Sequence, residues 1–135
     1  MSQPATGALD APYWRALAEG GLVMQQCAAC STWLWPAVSR CGECGAWDPP
    51  WREVAMQGEI FSWATTHHRF GGTENLGLPY TTVLVALPQA GDRRLLGLWD
   101  GDPATLTAGM KVAASVGATT VRDKPVPVFH WRPAA

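Results

Sequence analysis

The spacing of hydrophobic and polar positions changes character along the 135 residues. Between Asp10 and Gly20 the apolar positions Trp14, Leu17 and Ala18 recur at helical spacing. Asp10 stands where an N-cap belongs, Pro12 lies inside the first turn, and Gly20-Gly21 is the stop. The pattern predicts a short helix over about 11–19, which needs a surface for Tyr13, Trp14 and Leu17 in order to persist. Residues 1–9, small and polar with Pro4 and Gly7, read as a loose arm. From Gly58 onward the pattern is that of strands. Residues 58–70 are rich in β-branched and aromatic types, 80–87 (YTTVLVAL) is a continuous run of β-formers, and 94–99 (RLLGLW) follows the turn Gln89-Ala90-Gly91-Asp92. Asp102-Pro103 opens a turn or short helical connection that Gly109 closes, after which 110–116 and 126–131 complete about five strands.

Five short strands with one mid-chain crossover suit a small closed barrel better than a flat sheet, because closure removes exposed edges. An OB-type barrel is the expected arrangement, although strand rhythm alone fits other small barrels. The intervening residues 22–47 carry four cysteines, and Asp48-Pro49-Pro50 reads as a stiff linker out of them. The chain therefore divides into an arm and helix (1–21), a cysteine ribbon (22–50) and a barrel (51–135), a mainly β fold.

Composition narrows the function classes. With 47% hydrophobic and 16% charged residues the chain is globular, and its length fits one compact domain with a modest core. A formal charge of -1, with no basic cluster beyond Arg93-Arg94, offers no groove for nucleic acid. Residues 1–9 lack the basic and apolar regions of a secretory signal, and no apolar run approaches the roughly 20 residues of a membrane span. A cytoplasmic, reducing setting is expected, in which the cysteines serve as metal ligands rather than disulfides.

Their spacing is Cys27-x2-Cys30-x10-Cys41-x2-Cys44. A two-residue gap lets one tight turn aim two sulfurs at a common point, and two such turns supply the tetrahedron that zinc prefers. Gly42 and Gly45 suit the positive φ of such a turn; Ser31 occupies the place equivalent to Gly45. The central gap is shorter than the roughly 15–20 residues of one common zinc pattern, so the hairpin it spans is short, with Trp33, Trp35 and Pro36 filling it. Two disulfides are the competing reading. Four thiolates leave no open position for water, so the expected cofactor is one structural zinc per chain.

Other chemistry is sparse. His67 and His68, followed by Arg69, lie at a predicted strand end; adjacent strand residues face opposite sides, so one histidine inside and one on the surface is expected, not a dyad. No serine sits in a nucleophile motif, and the zinc would occupy every cysteine. Trp14, Trp33, Trp35, Trp47 and Trp51 exceed what a ribbon and a short helix can bury; they either cement the ribbon to the barrel or meet a partner chain. Arg93 and Arg94 could grip a phosphate, although a solvated pair beside a turn is the plainer reading.

From about residue 10 to 133 the sequence resembles a family of OB-fold proteins with an N-terminal rubredoxin-like zinc ribbon, long labelled a domain of unknown function, whose members accompany acyl-CoA enzymes. The resemblance is carried by Tyr13-Trp14-Arg15-Ala16-Leu17, by Gly21-Leu22 leading into Cys27, and by Pro36 and Cys41-Gly42-Glu43-Cys44-Gly45. It continues with Gly58-Glu59-Ile60-Phe61-Ser62-Trp63, the histidine position His67, Pro79-Tyr80, Leu95-Leu96-Gly97, Gly109-Met110-Lys111-Val112 and Arg132-Pro133. One departure is Ala37, where the family often has Arg after the ribbon proline; Arg40 is the nearest replacement. The resemblance implies a non-catalytic subunit in a hetero-oligomer with a thiolase-fold acyl-CoA enzyme, such as a thiolase, an acyltransferase or a steroid side-chain aldolase, acting in lipid or steroid degradation. Acyl-CoA would bind at a shared site, and the residues that would face the partner or the acyl-CoA are Tyr13, Trp14, Trp33, Trp35, His67, His68 and Arg69. The alternatives are a single-strand nucleic-acid binder, for which the chain has aromatics without charge, and an enzyme using His67 or His68 as base.

Overall fold

The computed structural model describes residues 8–121 and 123–134; the expected arm over 1–9 lies mostly outside them. Helix α1 runs over Ala11–Ala18, as predicted to within a residue, and buries Tyr13 and Leu17. Asp10 does not cap it with its side chain. Its carboxylate instead accepts from the Trp14 indole N–H at 3.0 Å, one turn along. Gly20, at φ +88, ends the helix, and the Gly21 N–H returns to the Ala16 carbonyl at 2.8 Å.

A three-stranded antiparallel sheet follows, in the order β2-β1-β3, with β1 over Val23–Gln26, β2 over Trp33–Leu34 and β3 over Trp51–Glu53. Its central residue Gln25 pairs with Leu34 on one side and Trp51 on the other. Met24 and Gln25 are both buried although they are neighbours in a strand. This follows from a sheet covered on both faces: Met24 joins the main core, and Gln25 points among the cysteine loops.

The closed barrel has the order β4-β5-β6-β8-β7, from β4 (Gln57–Thr66), β5 (Tyr80–Leu87), β6 (Arg93–Trp99), β7 (Lys111–Val121) and β8 (Lys124–Pro133). The mainly β, five-stranded barrel of the sequence reading is thus the observed fold. β5 alternates along its length, sending Thr81, Val83, Val85 and Leu87 inward. Two glycines permit closure. A Cβ on Gly58 would lie 2.5 Å from the Ala86 carbonyl, and one on Gly97 would lie 2.5 Å from the Trp131 ring. Trp131 is wholly enclosed, and among the described residues its indole N–H has no hydrogen-bond partner. A register shift between Ile60 and Ser62 leaves Phe61 exposed.

Strand limits differ from expectation in two places. β4 stops at Thr66 rather than residue 70, because its partner β5 begins opposite it, Thr66 pairing with Tyr80, and nothing continues the ladder. β7 and β8 are longer than predicted, forming one hairpin paired down to Val121 and Lys124. Residues 117–121 (GATTV) show no alternation of apolar and polar positions, and Pro125 and Pro127 argue against a strand. They are tolerated because β6 reaches β8 only through Leu98–His130 and Trp99–Trp131, leaving the far edge of β8 free at the prolines.

One core joins all three parts. Tyr13 and Leu17 of α1 and Leu22 and Met24 of the ribbon belong to the same buried cluster as Val83, Val85, Leu95, Phe129 and Trp131 of the barrel. Among the described residues no helix is long and apolar enough to cross a membrane.

Candidate functional site

The cysteines occupy two loops of the same construction. In the first, the Ser31 N–H reaches the Cys27 carbonyl at 2.9 Å; in the second, the Gly45 N–H reaches the Cys41 carbonyl at 2.9 Å. Ser31 (φ 65) and Gly45 (φ 81) both take the left-handed conformation that lets each loop close. That conformation costs serine roughly 1–2 kcal/mol which glycine does not incur. Cys27 and Cys41 are buried while Cys30 and Cys44 are exposed.

All four sulfurs lie within 4.8 Å of one another, with Cys27–Cys44 at 3.5 Å and Cys30–Cys41 at 3.7 Å. Tetrahedral bonds of about 2.3 Å require sulfurs about 3.8 Å apart, so this donor set fits a metal ion of the thiolate-binding class. The sulfurs also shift one another's ionisation in opposite directions. The Thr32 hydroxyl and N–H lower the Cys30 thiol to about 6. Cys44, although the Ala46 N–H draws its thiol down, is pushed up to about 12 by the sulfurs of Cys27 and Cys30. A divalent cation removes that opposition, since it favours every thiolate at once.

The frame around the sulfurs is well tied. Gln25 donates to the Val38 carbonyl at 2.8 Å and the Pro49 carbonyl at 3.3 Å, and accepts from the Val38 N–H at 2.8 Å. Leu34, Val38 and Ala46 pack against Cys27 and Cys41. Arg40, offered above as a replacement anion contact, donates to the Gly45 carbonyl at 2.7 Å and lies over the Trp47 ring.

The aromatic residues divide. Trp14, Trp33, Trp35 and Trp51 are partly buried against the common core, whereas Trp47 is 66% exposed. Tyr13 meets Trp14 edge-on at 5.2 Å and Trp35 at 4.4 Å, which fixes helix to ribbon. Burial, with Asp10 nearby, raises the Tyr13 phenol well above its ordinary value. Ribbon is fixed to barrel where the Arg93 guanidinium donates to the Trp33 carbonyl at 2.8 Å. Four of the five tryptophans thus pack on the common core, and Arg93 is tied to the ribbon.

His67, His68 and Arg69 are all exposed in the loop beyond β4, so the expectation of one internal histidine is corrected; His68 meets Phe70 edge-on, with ring centroids 4.6 Å apart. These three residues lie outside the cysteine ribbon and the Tyr13–Trp35 cluster. A histidine that sequence reasoning missed is better placed. His130 Nδ1 lies 2.9 Å from Asp100 Oδ1, in a cleft of about 380 Å3 that Tyr80, Leu98, Trp99 and Thr119 also line. Its ring packs on Gly117, where a Cβ would come within 2.7 Å. Nothing local signals this pair, because Asp100 and His130 meet only through the parallel pairing of β6 with β8.

Comparison with known proteins follows this geometry. The rubredoxin-like zinc ribbon domain of ChsH2 matches residues 14–48, and the C-terminal OB-fold domain of ChsH2 matches residues 51–117. A protein of Thermomonospora curvata named "Probable enoyl-CoA hydratase alpha subunit" is 32% identical over 110 residues. That stretch is 82% of this chain but 34% of the relative, so the chain spans about a third of its length. A solved chain of the Ltp2-ChsH2(DUF35) aldolase superposes with a TM-score of 0.82 at 28% identity, over 98% of this chain and 100% of that one. A DUF35-family protein of unknown function from Sulfolobus solfataricus shares the fold, with a TM-score of 0.59 at 16% identity over 96% of this chain and 87% of that one. Matched in both parts and in the same order, with four cysteines gathered in the first and a closed barrel in the second, this chain belongs to the ChsH2-type DUF35 family.

Proposed function

We propose that this chain is a non-catalytic auxiliary subunit that binds and stabilises a thiolase-fold acyl-CoA enzyme, a thiolase, an acyltransferase or a steroid side-chain aldolase, and helps shape its acyl-CoA site. The observation that carries this reading is the end-to-end likeness to a chain of the Ltp2-ChsH2(DUF35) aldolase. The hydratase subunit of T. curvata supports the acyl-CoA context. Cys27, Cys30, Cys41 and Cys44 would hold one zinc per chain, which supplies a rigid frame rather than a reaction centre, because four thiolates fill its coordination. Tyr13, Trp14, Trp33 and Trp35 stand beside that frame and would pass its rigidity to a docking surface. His67, His68 and Arg69, exposed in one loop, are the proposed contacts to the partner's acyl-CoA. The setting would be the cytoplasm.

The test is purification of the tagged chain from its native host, identification of the protein that comes with it, and assay of the pair on acyl-CoA thioesters. Retention of a thiolase-fold enzyme whose activity falls when this chain is removed is expected. A chain that retains no acyl-CoA enzyme would refute the reading.

A further inference from the structure

The outer face of β4, β5 and β6 beside the ribbon is apolar where a free surface is ordinarily charged. Leu96, in the middle of β6, is 68% exposed, and Phe61, at the irregularity of β4, is 48% exposed. Next to Leu96 an open groove of about 350 Å3 separates Trp14, Trp35 and Pro36 on the ribbon side from Leu84 on the barrel side. Two charged residues line it. Asp10 is engaged by the Trp14 indole. The Arg94 guanidinium carbon lies over the Phe61 ring, 3.6 Å from its centroid, and among the described residues no carboxylate is within ion-pair reach of it. Glu59 lies two strands from Arg94 in the same register row, but the groove itself is lined by aromatic side chains, an exposed leucine and an arginine set over a ring, with no lysine or glutamate, which is the composition of an interface core.

We infer that this face is where the acyl-CoA enzyme seats, and that the enzyme presents an apolar ridge flanked by a carboxylate that pairs with Arg94. The inference rests on the subunit reading above. Charge complementarity sets the chemistry of the occupant: the unpaired guanidinium asks for an anion, and its apolar surround asks for a dry contact. The relatives agree with an occupant that is a further protein unit. The solved aldolase is named for a second component, and two thirds of the T. curvata chain lies outside the shared unit.

The experiment uses the full chain with the enzyme identified by co-purification, and measures affinity for wild type, Leu96→Glu and Arg94→Ala. Leu96 is exposed, so its replacement leaves the core intact, and an unchanged melting temperature and metal content verify this. Both variants are expected to bind about tenfold or more weakly, while Lys124→Ala at the far hairpin binds as wild type. Should Leu96→Glu and Arg94→Ala both bind as wild type does, this face is wrong and the subunit reading stands. If the wild-type chain retains no acyl-CoA enzyme, both readings fall. Should the isolated chain instead form a dimer that Leu96→Glu dissolves, with enzyme binding intact, the occupant is a second copy of this chain.

Discussion

Each of the four cysteines carries a consequence larger than its size, because the ribbon has few other buried side chains with which to hold its loops. Replacing Cys27 or Cys41 by alanine is expected to abolish metal binding and to loosen the two cysteine loops, as read by metal analysis and by loss of dispersed amide signals from residues 27–47. Lowering the pH should act in the same direction, since the ligands bind as thiolates and protons compete with the metal. Chelator-induced release should therefore accelerate as the pH falls. Gly97 is a second sensitive position. Alanine there meets the Trp131 ring at 2.5 Å and should cost roughly 1–3 kcal/mol by overpacking, measurable by urea unfolding. The metal centre was legible at this scale because two turns of identical spacing leave a local signature. His130 and Asp100 were not, since their 2.9 Å contact exists only after two distant strands pair. His67 and His68 drew attention by adjacency, and the loop holds both of them at the surface.

At the scale of elements, the seam of the barrel with the fewest register pairs is the parallel contact of β6 with β8, two pairs reinforced by the Asp100 N–H to the Trp131 carbonyl at 2.8 Å. The His130–Asp100 contact lies across that seam. Asp100→Ala should therefore destabilise the chain by about 1 kcal/mol in urea titrations, and Asp100→Asn, which retains an acceptor, by less. The loop between β4 and β5 carries its own acid sensitivity. Glu74 is held below its ordinary carboxyl value by its own N–H and that of Gly72, with Arg69 adding to the effect. This contribution is present above the ordinary value and is lost as pH falls through the lowered one. The Gly72 amide signal should shift over that acidic window, and Glu74→Gln should remove the shift. Helix α1 and strands β5 and β6 were legible from periodicity and turn residues. The outer half of the β7–β8 hairpin was not, because its stability comes from cross-strand pairing rather than from a buried face.

For the whole molecule, the shared core is the governing fact. Tyr13, Leu17, Leu22 and Met24 lie against barrel residues, so ribbon and barrel should unfold in one transition, with tryptophan fluorescence and far-ultraviolet circular dichroism coinciding. Removal of the metal should then lower the melting temperature of the barrel too, not of the ribbon alone. The sequence pattern predicted both parts but not that they would share a core, since the inward face of a ribbon strand such as Val23–Gln26 is too short to show what it packs on. The eight tryptophans give this chain a built-in optical scale, at whose ends stand Trp131, sealed in the barrel with an unpartnered N–H, and Trp47, open on the ribbon. Trp131 should emit to the blue, resist acrylamide and keep its indole proton in deuterium oxide for as long as the barrel stays closed. Trp47 should be quenched at once, so that a chain with phenylalanine at either position would report separately on the interior and on whatever comes to cover the ribbon.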